Sequence, residues 1–316
     1  MEYEKKIIPL YKLRTFGDKL SDSLAFVGEN FKPLLKFTTL VLLPVTLVMG
    51  WAMNGYMTGV MNVASLNSSP EPGLDVILKI LPSMAVLLVV GMLGYALIVA
   101  VVYALMRLYE TRENRLKGLK WAELKPVFVQ MLKRYVILML AGLVLLVALG
   151  LVWALLYLAL NAAFGSATAV VLLIFLTYLA VFVLLLPISI VTPVYLFEDD
   201  IAVVAAFKKA LRLGFRTWAG IFGVLFVLGL LAGTISGIFS LPWMIAYLAK
   251  IFFMFDEGSV GFVGTAAFNG MFWLLSALQC YVNLVCYSVP FIGLAYQYGH
   301  AVEKLDKGKE DMGIIH

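Results

Sequence analysis

The feature that most constrains this chain is the separation of its basic residues from long apolar runs. Of 24 Lys and Arg residues, 22 lie in four polar stretches, which cover residues 1–36, 107–134, 198–217 and 297–316. The sequence between these stretches is almost entirely apolar. Apolar segments with basic flanks are typical of multi-pass membrane proteins, in which Lys and Arg remain on the cytoplasmic side. The pattern predicts a multi-pass membrane protein with both termini in the cytoplasm.

The number of crossings follows from the lengths of the apolar runs. A membrane core about 30 Å thick needs roughly 20 helical residues, so the uncharged run from Tyr135 to Phe197 must cross twice. Its turn is predicted at residues 161–166, where Asn, Gly and Ser supply turn chemistry. Because the runs are continuously apolar rather than alternating, helices are favoured over a barrel. The sequence predicts an all-α integral membrane protein, one transmembrane helical domain over residues 1–316, with six spans near residues 35–58, 80–106, 135–160, 168–196, 218–247 and 267–296.

The outer connections are expected to be short. Residues 59–79 form the first, and Asn67–Gly73 within it is typical of an irregular, exposed segment. In the last outer loop the aromatic residues that follow Pro242 predict a chain lying along the membrane interface, with a wet turn at Asp256–Gly258. Only Lys79 and Lys250 are basic in the outer segments, so every charged side chain is expected at or beyond an interface.

A threefold plan is suggested by the segments that precede the odd-numbered spans. Each carries apolar residues at helical spacing together with basic residues. We interpret each unit as an amphipathic helix on the inner leaflet followed by a helical hairpin that goes out and returns. The alternative is that any inner loop becomes amphipathic at a membrane surface. The apolar faces comprise Phe16, Leu20, Leu24, Val27 and Phe31, then Leu124, Val127, Met131 and Tyr135, and then Ile201, Val204, Phe207, Leu211, Phe215 and Trp218.

One stretch carries a family resemblance. Residues Leu186–Asp200 read LPISIVTPVYLFEDD, and Ala206–Arg212 (AFKKALR) and then Trp218 follow. This layout resembles poorly characterised bacterial six-span membrane families, including the membrane domain attached to some glycerophosphoryl diester phosphodiesterases. The resemblance implies a location in the bacterial cytoplasmic (inner) membrane. In such families a proline-containing span ends in an acidic residue, a basic amphipathic helix follows, and an aromatic residue opens the next span. The catalytic barrel of those enzymes has no counterpart here, so the resemblance implies no hydrolase activity.

The sequence offers little raw material for catalysis or for cofactor binding. The two histidines, His300 and His316, have no neighbouring metal-ligand types, and Cys280 and Cys286 are six residues apart, on different helix faces. No nucleophile motif, zinc-protease motif or phosphate-binding loop is present. The sequence therefore predicts a protein that is not an enzyme and that binds no cofactor, no metal and no nucleic acid.

The sixth predicted span carries a polar stripe. Ser276, Gln279, Asn283 and Tyr287 are spaced three, four and four residues apart, which places them on one helix face. Two interpretations remain open. The stripe lines a path for a polar solute or holds a lipid headgroup, or its members form hydrogen bonds to neighbouring spans.

Three prolines predict helix breaks on the inner side of the membrane. Pro187 and Pro193 lie in the fourth span and Pro290 in the sixth, and each removes a backbone donor. Broken helices at corresponding places mark binding sites in transporters, whereas proline kinks also arise from packing alone.

The basic cytoplasmic residues are candidate contacts for anionic lipid headgroups. Because 15 of the 19 acidic residues also lie on that side, the mixed surface suits a protein partner at least as well. The sequence predicts a non-enzymatic component that organises or assists a membrane process through lipid and protein contacts; the alternative is a transporter or permease for a lipid or small amphiphile. The candidate headgroup contacts are Lys133, Arg134, Lys208, Lys209, Arg212 and Arg216.

Overall fold

The computed structural model describes residues 7–65, 74–254 and 265–310, and these residues are helical apart from short connections. Six helical segments are long and apolar enough to cross a membrane, as the sequence predicts. Predictions for the irregular loop at Asn67–Gly73, the wet turn at Asp256–Gly258 and the terminal His316 lie outside the described residues.

The helices do not correspond one to one to the spans, because the fourth span (Ser166–Phe197) and the sixth (Ala266–Lys307) each comprise more than one helix. We number them α1 (Phe16–Glu29), α2 (Phe31–Ser65), α3 (Leu74–Thr111), α4 (Trp121–Phe164), α5 (Ser166–Ala180), α6 (Leu186–Ser189), α7 (Val191–Phe197), α8 (Val203–Arg216), α9 (Trp218–Met254), α10 (Ala266–Cys286) and α11 (Ser288–Glu310), with a π-helical turn at Val181–Leu185.

The breaks between these helices follow local chemistry. The turn between α4 and α5 lies at Gly165, within the predicted segment, and its φ of 82° belongs to a region that favours glycine. The helix also breaks at Ile190, between Pro187 and Pro193, and at Tyr287, three residues before Pro290. In both α7 and α11 the proline lies in the first turn, where its missing N–H removes no helical hydrogen bond.

The long helices extend beyond the predicted spans because the polar flanks continue the helical hydrogen bonding. The clearest difference concerns α9, which continues through Pro242 as an unbroken helix as far as Met254. Trp243 and Tyr247 are partly buried and pack against the buried cluster that contains Phe272. The helix therefore extends seven residues beyond the predicted span, which ends near residue 247.

The predicted surface helices take two forms. α1 and α8 are separate helices, which end where Asn30 and Thr217 leave the helical conformation. The second predicted segment, residues 121–134, is continuous with the rest of α4 and has no break of its own.

By chain contacts the protein divides into two compact units. In the first unit the core is formed where α6 and α7 pack on α8. The closest approach is at Gly214, where an added Cβ would lie 2.5 Å from the Pro187 backbone. This unit comprises Met1–Asn30, Tyr103–Leu228 and Pro290–His316.

The second unit is built around the packing of α10 on α2. The two backbones approach closely at Gly50, where a Cβ would lie 2.6 Å from the backbone nitrogen of Ala277. Trp273 Nε1 also donates a hydrogen bond to the Leu47 carbonyl at 3.0 Å. This unit comprises Phe31–Val102 and Gly229–Val289.

Candidate functional site: a polar groove between two helices

One face of α9 in the second unit is made of small residues. They recur at three- and four-residue spacing, so their side chains share one side of the helix. At three glycines of this face, Gly229, Gly233 and Gly237, an added Cβ would meet no atom within 4 Å. Small faces of this kind often let two membrane helices touch, but here the face borders open space. Its members are Gly229, Ala232, Gly233, Ser236, Gly237 and Ser240.

A cavity of about 290 Å³ separates this face from α10. The opposite wall consists of Gln279, Asn283, Cys286 and Tyr287, so three of the four residues of the predicted polar stripe line one space. Gly233, Gly237 and Asn283 are exposed, and the cavity is therefore open at the protein surface. We call it the groove.

The fourth member of the stripe, Ser276, belongs to the core instead. It is fully buried, accepts a hydrogen bond from Trp243 Nε1 at 2.9 Å and donates one to the Phe272 carbonyl at 2.8 Å. This contact joins α9 to α10 just beyond Ser240, where the groove ends. The two interpretations of the stripe thus apply to different residues, since Ser276 makes an interhelical hydrogen bond and the others face the groove.

The polar side chains of the groove have little to bond within the protein. No hydrogen bond joins the side chains of Ser236, Gln279 or Asn283 to another described residue, and Gln279 Oε1 is both buried and unpartnered. The Tyr287 ring packs against the Tyr95 ring, with 5.6 Å between the ring centroids. A buried polar group without a hydrogen-bond partner is costly, so the Gln279 amide favours a bound molecule that can supply one.

Lys250 is placed differently from the sequence prediction. It lies in α9 rather than in a loop, is only 6% exposed, and donates to Asn54 Oδ1 at 3.1 Å and Thr58 Oγ1 at 2.9 Å. Its Nζ also lies 4.8 Å from the centre of the Phe272 ring. Neutral oxygens and an aromatic face therefore surround this cation. The expectation that every charge lies at or beyond an interface did not anticipate a basic side chain packed between helices.

The six basic residues that the sequence nominates for lipid headgroups divide into two groups in the first unit. The Arg134 guanidinium donates to the carbonyls of Tyr195, Glu198 and Asp199 at the end of α7, and Lys209 pairs with Glu198 at 2.8 Å. Arg134 and Lys209 thus bind groups of the protein itself. The remaining four, Lys133, Lys208, Arg212 and Arg216, are exposed.

An ion pair lies beside the Arg134 contacts. Arg107 binds the Asp199 carboxylate through both of its terminal nitrogens, one of them at 2.8 Å, and Gln130 donates to the same carboxylate at 3.2 Å. The hydrogen bond from Arg107 is the main reason that the pKa of Asp199 falls below its ordinary value. These contacts fix the acidic end of the fourth span.

The segment before α1 holds a buried arginine that the sequence did not reveal. The Arg14 side chain is fully buried, pairs with Asp22 at 2.8 Å, donates to the Leu10 carbonyl at 2.8 Å, and lies 4.7 Å from the Tyr296 ring centre. Its backbone N–H donates to His300 Nδ1 at 3.1 Å, which gives that histidine a structural contact. Isolated basic residues in a polar flank give no periodic signal, so pattern analysis could not find it.

Lys19, on the buried face of α1, has an altered acidity. Burial, followed by the nearby charges of Lys304 and Arg14, lowers its pKa to about 8.

Both cysteines are free thiols, and the described residues contain no cluster of three metal-ligand side chains.

Comparison of the chain with protein-family models, with curated proteins and with solved structures finds no match. The class of protein therefore follows from its fold: six long apolar helices of this length and composition define a multi-pass, all-helical membrane protein. The resemblance to bacterial six-span families stays a prediction.

Proposed function

We propose that the protein binds a lipid or another small amphiphile in the groove between α9 and α10. We further propose that it acts as a transporter or permease for this ligand and has no enzymatic activity. The observation that carries this proposal is the coincidence of an open cavity with the polar stripe of α10. A protein that only organised its neighbours would need no such cavity.

The physical argument concerns unpaired polar groups. In a lipid environment no bulk water is available to side chains such as Gln279 and Asn283, so their hydrogen bonds must come from the protein or from a ligand. The facing wall of α9 supplies glycines and alanine at most positions and leaves room instead of partners. An amphiphile meets both needs, because its polar head can form hydrogen bonds with the amides and its apolar tail can fill the open space.

The test is photo-crosslinking in reconstituted vesicles with lipids that carry a photoactivatable group and a clickable tag. We expect crosslinks in α9 and α10, and we expect Gly233→Leu to reduce them about tenfold, because the new side chain fills the groove without a backbone clash. Gly270→Leu is the matched control, since a Cβ there also meets nothing within 4 Å and Gly270 does not line the groove.

Two outcomes would contradict the proposal. One is the absence of crosslinks in α9 and α10 of the wild-type protein, which would leave the groove to water. The other is equal labelling of Gly233→Leu and the wild type. Movement of a fluorescent lipid between leaflets, measured in the same vesicles, then separates transport from binding alone.

The second candidate is an organiser that works through protein contacts, and one observation favours it. In the helix pair α4–α5, only 6% of the most apolar stretch of each span is buried. Side chains such as Val144 and Tyr178 are 71% and 73% exposed. A partner's transmembrane helix packed on this pair would co-purify with the protein, and a bulky polar substitution at Val144 would release it. Recovery of the protein without any stoichiometric partner, under gentle extraction, would count against the organiser.

The orientation that we propose places both termini and the basic stretches in the cytoplasm of a bacterial cell. It is supported by the exposed large apolar residues of the separate helices α1 and α8, such as Leu24 and Phe215, which suit helices lying on the inner leaflet. The four exposed basic residues would then contact anionic headgroups. Reporter fusions at each terminus and after residue 165 test this orientation, because only the third position should report an external location.

The threefold repeat stays a hypothesis. Two of its three surface helices are separate elements and the third is continuous with its span.

A further inference from the structure

We infer that the groove selects an amphiphile whose polar head is uncharged and carries hydroxyl or ester groups, as diacylglycerol does. This inference rests on the proposed function, since it names the kind of ligand that the groove would take.

The first step is the charge of the groove lining. All ten lining residues are uncharged. The nearest cation along α9 is Lys250, ten residues or about 15 Å beyond Ser240, and its ammonium group is already bonded to Asn54 and Thr58. A phosphate or carboxylate in the groove would be desolvated without a counter-charge, which costs far more than burying a neutral polar head.

The second step is the hydrogen-bonding capacity of the lining. Gln279 and Asn283 are amides, and Ser236 and Tyr287 are hydroxyls, so the walls present both donors and acceptors. Hydroxyl and ester carbonyl oxygens accept from such donors, and a hydroxyl can also donate to the oxygen of Asn283 or Ser236.

The third step is size. At about 290 Å³ the cavity is slightly smaller than typical ligand pockets, which measure about 300–1,000 Å³. It holds a small head or part of one chain, and the rest of the molecule must extend through the open side near Gly233 and Gly237. A compact uncharged head meets this limit better than a bulky one.

The test compares two photoactivatable lipids with identical acyl chains, diacylglycerol and phosphatidic acid. Only crosslinks mapped by mass spectrometry to α9 and α10 are counted, which excludes contacts at the exposed basic residues. We expect diacylglycerol to label the groove at least about tenfold more than phosphatidic acid. Gln279→Lys places a cation in the lining and should reverse this preference, whereas Gln279→Met, which has similar volume and no charge, should lower diacylglycerol labelling without raising that of phosphatidic acid.

The outcomes separate the inference from the proposed function. If neither lipid labels α9 and α10, the proposed function fails, and the inference fails with it. If both lipids label the wild-type groove equally, or phosphatidic acid prevails, the inference is overturned while lipid binding stands. If Gln279→Lys and Gln279→Met give the same ratio of diacylglycerol to phosphatidic acid labelling, Gln279 does not contact the polar head of the lipid. The inference is then likewise overturned. Circular dichroism and size-exclusion profiles that match the wild type establish that each variant is folded.

Discussion

Of the helix pairs α4–α5 and α9–α10, the more apolar pair is the less buried one. The most apolar stretches of the spans that contain α4 and α5 have mean hydropathies of 2.9 and 3.1, and only 6% of each stretch is buried. The corresponding stretches of the spans that contain α9 and α10 are less apolar, with mean hydropathies of 2.3 and 1.4, and they are 22% and 44% buried. In water the most apolar helices would be the most buried. Lipid reverses this order, because lipid tails solvate leucine and valine while small and polar residues mediate helix contacts.

The same difference applies to glycines. Gly150 of α4 borders open space, whereas Gly50 of α2 lies against the backbone of α10 in the second unit. The glycines of the groove belong to neither group. They border open space, as Gly150 does, but polar side chains of α10 lie on the other side of that space. A glycine in a span is thus informative only when its neighbours are known.

The largest expected effect would break close helix packing. Gly50→Leu would force α10 away from α2 because even a Cβ at this position would lie 2.6 Å from the Ala277 backbone. We expect a loss of about 3 kcal/mol or more, seen as aggregation or a much lower melting temperature in detergent. Gly150→Leu is the matched control and should leave the melting temperature unchanged. Equal effects of the two substitutions would remove the distinction between packed and lipid-facing helices.

The next prediction compares the stability loss at Arg134 with that at its neighbour Lys133. Arg134→Gln removes guanidinium hydrogen bonds to three carbonyls at the end of α7, and hydrogen bonds to charged groups are worth about 1.5–3 kcal/mol. Lys133→Gln removes an exposed side chain and should change stability by no more than about 0.5 kcal/mol. Thermal unfolding of the purified variants measures both. If Lys133→Gln were the more destabilising, the structural assignment of Arg134 would be wrong.

A smaller effect depends on pH. The pKa of Lys19 falls to about 8 in the folded protein from its ordinary 10.5, so the unfolded chain binds the additional proton between those values. Stability should therefore rise as pH increases from 8 to 10.5, by roughly 1–2 kcal/mol when solvent screening is allowed for. Lys19→Met should weaken this rise and should be more stable than the wild type at pH 7. Unfolding curves at several pH values test it, and an unchanged pH profile in Lys19→Met would contradict it.

The smallest effect concerns the end of the groove. Trp243→Phe removes the hydrogen bond to Ser276 and keeps most of the aromatic packing. Interhelical hydrogen bonds of this kind are worth about 0.6 kcal/mol on average in membranes. Thr177→Val in α5 removes only a bond to its own helix, at the Leu173 carbonyl, and should be nearly neutral. A larger loss for Thr177→Val would show that α5 has a partner which Thr177 contacts.

Much of the fold could be predicted from the sequence because membrane thickness converts apolar length directly into the number of spans. The turn at Gly165 was predictable for the same reason, since a run of that length must reverse near its middle. The end of α9 was not, because Pro242 and the following aromatic residues are compatible with either an interfacial segment or a continuing helix. Packing of Trp243 and Tyr247 on Phe272 decides between the two, and that contact joins distant parts of the sequence.

The candidate site was half predictable. The polar stripe on α10 has a clear helical period, but period alone places Ser276 with Gln279 and Asn283, and only the position of Trp243 separates them. The opposite wall was missed, although a signal exists: Gly229, Gly233 and Gly237 recur every four residues. That pattern normally indicates close helix contact, and sequence cannot show that the space opposite is open.

The central claim is that the groove holds an amphiphile, and native mass spectrometry of the protein extracted gently from its own membrane tests it most directly. The wild type and Gly270→Leu should each carry a near-stoichiometric bound mass identified as an uncharged lipid, and Gly233→Leu should lack it while keeping its fold. A wild-type protein without any bound lipid, or a Gly233→Leu variant that retains the same mass, would contradict the claim.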